Sequence, residues 1–364
     1  MNDSRSVSSL NYAGSDHADT FAPADPWLHR FAAIVAVATW LLIIAGGMVT
    51  STGSGLSVPD WPTTYGHNMF TYPYSKWVGG IFYEHGHRLI ASSVGFLTII
   101  LCIWLQLKER RRWLRSLGIV ALVAVIIQGI LGGLTVRFLL PTPISVAHAC
   151  LAQAFFCTVV SIAVFTSPRW ISQRPSGAGA GSGLSTRNLG ILVIGVVFVQ
   201  LILGAIMRHT ESGLAVLDFP LAYGQLVPDL SPEAVDRYND YRRFELLIPA
   251  ITAEQIAVHM IHRAGALLVA SVIVGVAIMT FMRHRGVPAL CRPMALAVML
   301  VVVQFGLGAW TVLSSRNPLV ATAHVAVGAA TLAVAVVFTL RAHRAASVRR
   351  PDSMPLARLA GVTA

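Results

Sequence analysis

One plan is written twice along this chain, and no other feature limits its fold so strongly. Ser54-Gly55-Leu56-Ser57-Val58-Pro59-Asp60-Trp61-Pro62-Thr63-Thr64-Tyr65-Gly66 returns as Ser212-Gly213-Leu214-Ala215-Val216-Leu217-Asp218-Phe219-Pro220-Leu221-Ala222-Tyr223-Gly224, with eight of the thirteen positions identical. His87-Arg88 returns as His262-Arg263, Gln128 to Val136 as Gln304 to Val312, and His148 as His324. Whatever frame holds the first set must exist again for the second.

That frame is helical and membrane-embedded. Apolar stretches lie near 31–50, 88–107, 117–136, 144–166, 189–209, 256–282, 294–313 and 319–340, each close to the roughly 20 residues that a helix needs to cross a bilayer. Hydrophobic residues make up 55% of the chain and charged ones only 12%, which excludes an ordinary soluble domain. The predicted fold is an all-α polytopic membrane protein whose eight transmembrane helices form two parallel-oriented four-helix bundles. An even number of spans per copy inserts both copies the same way up, related by a pseudo-twofold axis along the membrane normal.

The net charge of +11 is a matter of topology, not of nucleic-acid binding. By this assignment 18 of the 27 Lys and Arg fall in the two tails and in the loops after the second, fourth and sixth spans, including Arg110, Arg111, Arg112 and Arg115. The positive-inside rule then places both termini in the cytoplasm and the long loops after the first and fifth spans outside, in a cell inner (plasma) membrane. Residues 1–29 read as a disordered cytoplasmic tail, not a signal peptide, because no basic segment precedes the first apolar run and no small-residue cleavage site follows it. Residues 30–170 form the N-terminal bundle, 171–187 a Gly/Ser-rich cytoplasmic linker, 188–342 the C-terminal bundle and 343–364 a basic cytoplasmic tail. In the long loops, the Gly- and Pro-rich motif predicts an ordered turn. Tyr65, Tyr72, Tyr74 and Trp77 suit the headgroup layer, and Pro232 to Ile248 can form a short surface helix.

Chemistry concentrates in four histidines. His87, His148, His262 and His324 sit where the second, fourth, sixth and eighth spans begin, all entering from outside. A lone intramembrane histidine more often bonds a neighbouring helix. Four at matching repeat positions point to two paired-imidazole sites, and histidine is the usual axial ligand of b-type heme. Within a bundle His87 can face His148, and His262 can face His324. Arg88, Arg137, Arg208, Arg263 and Arg316 are candidate contacts for heme propionates; snorkelling to the interface is the competing reading.

Glu84 is the sharpest difference between the copies. It precedes His87 by three residues, where the second copy has His259 before His262. A carboxylate beside one site and an imidazole beside the other points to different jobs. An acid in a first helical turn is also favoured by the helix dipole. His85 reads as structural. Gly132, Gly133, Gly306 and Gly308 permit close approach of either a helix or a heme. The four cysteines, Cys102, Cys150, Cys157 and Cys291, lie outside the long loops and read as core fillers. There is no Walker, Rossmann or hydrolase motif.

The chain resembles the heme A synthase family over about residues 30–340. The carriers are Gly46-Gly47, Thr52-Gly53-Ser54-Gly55-Leu56, Asp60-Trp61-Pro62, Glu84-His85-Gly86-His87-Arg88, Gln128-Gly129-Ile130-Leu131-Gly132-Gly133, Ala147-His148 and their second-half echoes. The resemblance implies a heme-dependent oxidoreductase that converts heme O to heme A for cytochrome oxidase. A ring methyl is hydroxylated twice, and the hydrated aldehyde loses water to leave a formyl group. It further implies a resident heme b on His262 and His324, substrate heme O on His87 and His148, and Glu84 as the catalytic carboxylate. Implied partners are heme O synthase, cytochrome oxidase assembly factors, an unidentified electron donor and membrane lipid. The long loops here lack the cysteine pair of many bacterial members, so the chain resembles the cysteine-free subgroup and has no thiol relay there. Two other readings compete on the residues alone. One is a diheme b-type electron carrier linked to the quinone pool, which is disfavoured because all four histidines sit near one face. The other is a transporter with parallel repeats, which would want a polar midplane.

Overall fold

Asp25 starts the first helix. Its carboxylate accepts from the Trp27 and Leu28 amides, and Pro26 occupies the first helical position, where a missing N–H costs nothing. The structure, a computed structural model, describes residues 25–172 and 185–346. The predicted N-terminal tail up to residue 24, most of the predicted linker and the end of the basic tail lie outside the described residues.

Eight helices are long and apolar enough to cross a membrane: α1 (Pro26–Ser51), α2 (Gly80–Lys108), α3 (Arg112–Arg137), α4 (Thr142–Thr166), α6 (Thr186–His209), α8 (Ala253–Arg283), α9 (Pro288–Leu313) and α10 (Pro318–Ala346). A short α5 (Pro168–Ser172) follows α4, and α7 (Pro232–Asp240) lies in the second long loop, followed by a π-turn at Tyr241–Glu245. The chain is a multi-pass membrane protein. Large apolar side chains such as Ile34, Val37, Leu41, Ile99 and Ile103 are exposed along these helices. In a soluble protein that would be an aggregation hazard; here it is the lipid-facing surface.

Helix contacts close into two rings. In the first half α1 packs on α2, α2 on α3, α3 on α4 and α4 back on α1; in the second α6, α8, α9 and α10 close the same way. The rings meet through α1 with α10, α4 with α6, and α4 with α10. Exchanging the halves maps this set of contacts onto itself, as a twofold relation requires. Each ring has its own apolar core, one around Leu101, Leu105, Phe155 and Ile162, the other around Ile273, Leu290, Met294 and Phe338. Across the junction the Trp40 indole donates to the Ala326 carbonyl at 3.0 Å, and Thr142 Oγ1 donates to the His209 carbonyl at 3.0 Å.

Two edges depart from expectation. Helix α1 already runs from Pro26, inside the predicted tail, because Asp25 caps it. Helix α2 begins at Gly80 instead of 88. The hydropathy reading stops at Glu84, His85 and Arg88 because they are polar, yet they are 3%, 0% and 9% exposed and remain helical under the folded loop. Glu84 therefore lies beyond the first turn, so the helix dipole is not what places it there. His87 is thereby drawn inside its helix, as His148, His262 and His324 are inside theirs. They lie six to nine residues in, roughly 9–14 Å along the axis.

Pro293 sits inside α9 and leaves the Ala289 carbonyl without its helical donor. The Arg341 guanidinium on α10 approaches that oxygen at 3.3 Å, so a kink residue becomes a tie between neighbouring helices.

Candidate paired-imidazole sites

The repeated loop motif is a folded turn, and its identical residues are the ones that fold it. The Asp60 carboxylate accepts from the Tyr65 and Gly66 amides at 2.7 and 2.9 Å and from the Thr63 hydroxyl. Asp218 accepts from Tyr223 and Gly224 at 2.8 and 3.0 Å. The Tyr65 hydroxyl donates to the Ser57 carbonyl, and the Tyr223 hydroxyl to the Ala215 carbonyl. Gly66 and Gly224 have φ of +73° and +75°, a backbone that side chains rarely adopt. The residue before each proline, Trp61 or Phe219, is joined to it by a cis peptide.

Burial raises the Asp60 pKa, but the bonds from Gly66, Thr63 and Tyr65 outweigh it and hold the carboxyl below the usual range. A depressed folded pKa means that its stabilisation is present above the unfolded value, about 3.9, and is lost as pH falls through the folded value. Protection of the Tyr65 and Gly66 amides from hydrogen exchange should therefore weaken on acidification below about pH 4 while the helices stay intact.

Arginine ties each loop to the helix that follows it. Arg88 donates to the Asp60, Thr63 and Val58 carbonyls at 2.7, 3.1 and 2.9 Å. Arg263 donates to the equivalent Asp218 and Leu221 carbonyls at 2.6 and 2.9 Å. These two candidate propionate ligands turn their terminal N–H groups to loop backbone, Arg88 also to Glu84, while Nε of Arg263 is buried without a partner. Arg208 donates to the Thr50 carbonyl and, with Arg316, flanks Glu211; Arg316 reaches that carboxylate at 2.9 Å. Arg137 ends α3, exposed.

Glu84 and His259 share a structural duty. Glu84 accepts the Val58 amide at 2.7 Å, and His259 accepts the equivalent Val216 amide at 3.3 Å. Glu84 alone adds an ion pair, to Arg88 at 2.6 Å, with both side chains buried. His85 is fully buried, bonded through Nδ1 to Thr64 and packed edge-on against Trp77, with its Nε2 unpaired.

Beneath each loop lie two imidazoles, each against a glycine. A Cβ added at Gly46 would stand 3.2 Å from the His87 ring; at Gly132, 3.2 Å from His148; at Gly204, 3.2 Å from His262; at Gly308, 3.1 Å from His324. Gly132 and Gly308 thus serve the histidines, which the sequence could not decide. Gly133 instead makes room for the loop, since a Cβ there would meet the Trp61 indole at 2.5 Å. Gly133→Ala should displace Trp61 and cost about 1–3 kcal/mol by overpacking, read as a lower melting temperature of the purified protein.

The ring centroids of His262 and His324 are 6.5 Å apart. Two imidazoles binding one metal ion at about 2 Å each place their centres roughly 6 Å apart, so this pair fits an iron between them. Nδ1 of His148 and Nδ1 of His324 are buried without a hydrogen-bond partner, an arrangement that costs free energy unless something else engages the ring. Gln128 approaches Nε2 of His148 at 3.3 Å, and Gln304 approaches Nε2 of His324 at 3.2 Å. Among the described residues no group of three or more His, Cys, Asp or Glu could hold a metal. The donor set is thus two neutral nitrogens per site, which suits heme iron and not a bare structural ion.

These features define a duplicated integral membrane protein whose halves each set two glycine-backed imidazoles under an Asp-Tyr-Gly turn. The chain belongs to the cytochrome oxidase assembly protein family, whose model matches residues 29–336. It is 26% identical to the heme A synthase of Halalkalibacterium halodurans over 321 residues, covering 86% of this chain and 95% of that protein. It is 28% identical to the heme A synthase of Shouchella clausii, covering 79% and 87%, and 29% identical to that of Caulobacter sp. strain K31, covering 90% and 98%.

Proposed function

We propose that this chain is a heme A synthase, a membrane oxidoreductase that converts a methyl group of heme O to the formyl group of heme A for cytochrome oxidase. The observation that carries the reading is a pair of like imidazole pockets with unlike neighbours in a chain of this family. His87 and His148 would take the iron of the substrate heme O. His262 and His324 would hold a resident heme b. That group, when bound, supplies one-electron redox chemistry whose potential its protein surroundings tune.

Glu84 stands one helical turn from His87 on the same face. Oxidation of a methyl group moves protons and develops positive charge at the ring edge, and a carboxylate can serve both needs. The Val58 amide and Arg88 fix its position. His259 offers no such charge in the second half. Two successive hydroxylations at one methyl, followed by loss of water, would give the formyl group. Arg137, at the loop-side end of α3, would meet a propionate, and Arg208 and Arg316 would do so on leaving the Thr50 carbonyl and Glu211. The tails would face the cytoplasm of a bacterial plasma membrane with both pockets near the outer face. Heme O synthase and oxidase assembly factors would be its neighbours, and a separate electron donor would serve it.

The test is direct. The chain is produced beside a heme O source, and the extracted hemes are identified by mass. Formyl heme supports the assignment. Unchanged heme O, with folded protein that retains heme b, would leave an electron carrier instead.

A further inference from the structure

The two pockets differ in a way that Glu84 does not explain. In the second, Gln200 on α6 places its amide nitrogen 3.1 Å from Nδ1 of His262 and donates to the His262 carbonyl at 2.8 Å. The repeat register that pairs Gly204 with Gly46 puts Leu42 at the matching place in α1. His87 makes no hydrogen bond through its ring among the described residues. The room for Gln200 is also specific to the second half. A Cβ on Gly265 would lie 2.1 Å from Gln200 Oε1, and the residue matching Gly265 in the first half is Ile90. Gln200 and Gly265 therefore form a matched pair, replaced as a pair by Leu42 and Ile90.

Gln200 Oε1 is buried and has no partner. One amide nitrogen thus meets both the ring and the main-chain carbonyl of His262, and ties the orientation of that ring to its helix. A partner that fixes the orientation of a metal-ligating histidine matters nearly as much as the ligand itself, and its loss typically weakens the site about 10–100-fold.

We propose that Gln200 is a positioning residue that makes the second pocket retain its heme, and that the lack of a counterpart leaves His87 free to release what the first pocket binds. This rests on the second half being the heme b site. A substrate pocket must turn over while a cofactor pocket must not, and one amide between otherwise matched frames supplies the difference.

The test uses the full-length protein purified with heme b, and follows heme loss to an excess of apomyoglobin. Gln200→Leu should accelerate loss of heme b roughly 10–100-fold. Gln200→Glu, which keeps the shape but has no N–H for the His262 carbonyl, should act in the same direction. Gly265→Ala, which crowds Gln200 aside, should act in the direction of Gln200→Leu and decides the matter if that variant fails to accumulate. An unchanged release rate in Gln200→Leu or, failing that variant, in Gly265→Ala overturns the proposal and leaves the function reading intact. Retained heme that is lost on His87→Ala but not on His324→Ala overturns both, because it places the resident group in the first half.

Discussion

His324→Ala is expected to yield a folded protein stripped of resident heme b. Loss of an outer hydrogen-bond partner typically weakens a metal site 10–100-fold, and loss of one of only two protein ligands should exceed that. The ring packs on Gly308 and meets Gln304 through Nε2 while its Nδ1 is unpaired, so heme content is read beside the melting temperature of the variant. His148→Ala is its mirror image: heme b should remain at parental stoichiometry while no formyl heme accumulates. Heme per polypeptide and the mass of extracted hemes check both. Equal heme b content in the two variants would abolish the division of labour between the halves.

The second large effect concerns Glu84, and its geometry separates chemistry from support. Glu84→Ala leaves the Arg88 charge buried without its carboxylate and the Val58 amide without its acceptor. Removing one partner of a buried pair costs about 3–5 kcal/mol, so the first loop should loosen and product formation should stop. Glu84→Gln retains an acceptor for Val58 but carries no charge. It should keep a better-ordered loop, as judged by amide exchange at Tyr65 and Gly66, and still make no formyl heme. Heme b should be untouched in both variants. Parental product from Glu84→Gln would reduce Glu84 to a loop brace, the role that His259 fills for Val216 in the second half.

Much of this was legible in the residues. The apolar runs, the duplication and the four histidines at matching places required two similar bundles, because hydropathy and repeat register do not depend on distant contacts. The span edges were less legible. A string of polar residues at 84–88 ends a hydropathy run, yet the loop that folds over them supplies their partners, so α2 continues outward to Gly80. Arg88 and Arg263 look like anion ligands in sequence, and only the folded loop shows the carbonyls that take up their N–H groups. Gln200 left a readable signal, a lone amide in an apolar run opposite Leu42. Its meaning needed the ring of His262 beside it.

By itself, then, the sequence determined that the chain spans a membrane eight times in two like halves and keeps two histidines at matching positions in each. Periodicity, burial preference and internal repetition are properties of short segments. Only the tertiary structure decided which glycine fronts which histidine, that the shared Asp-Tyr-Gly motif is a roof held by arginine, and that His148, His262 and His324 each meet a glutamine amide while His87 does not. Those outcomes depend on distances between helices far apart in the chain, and no local pattern encodes them.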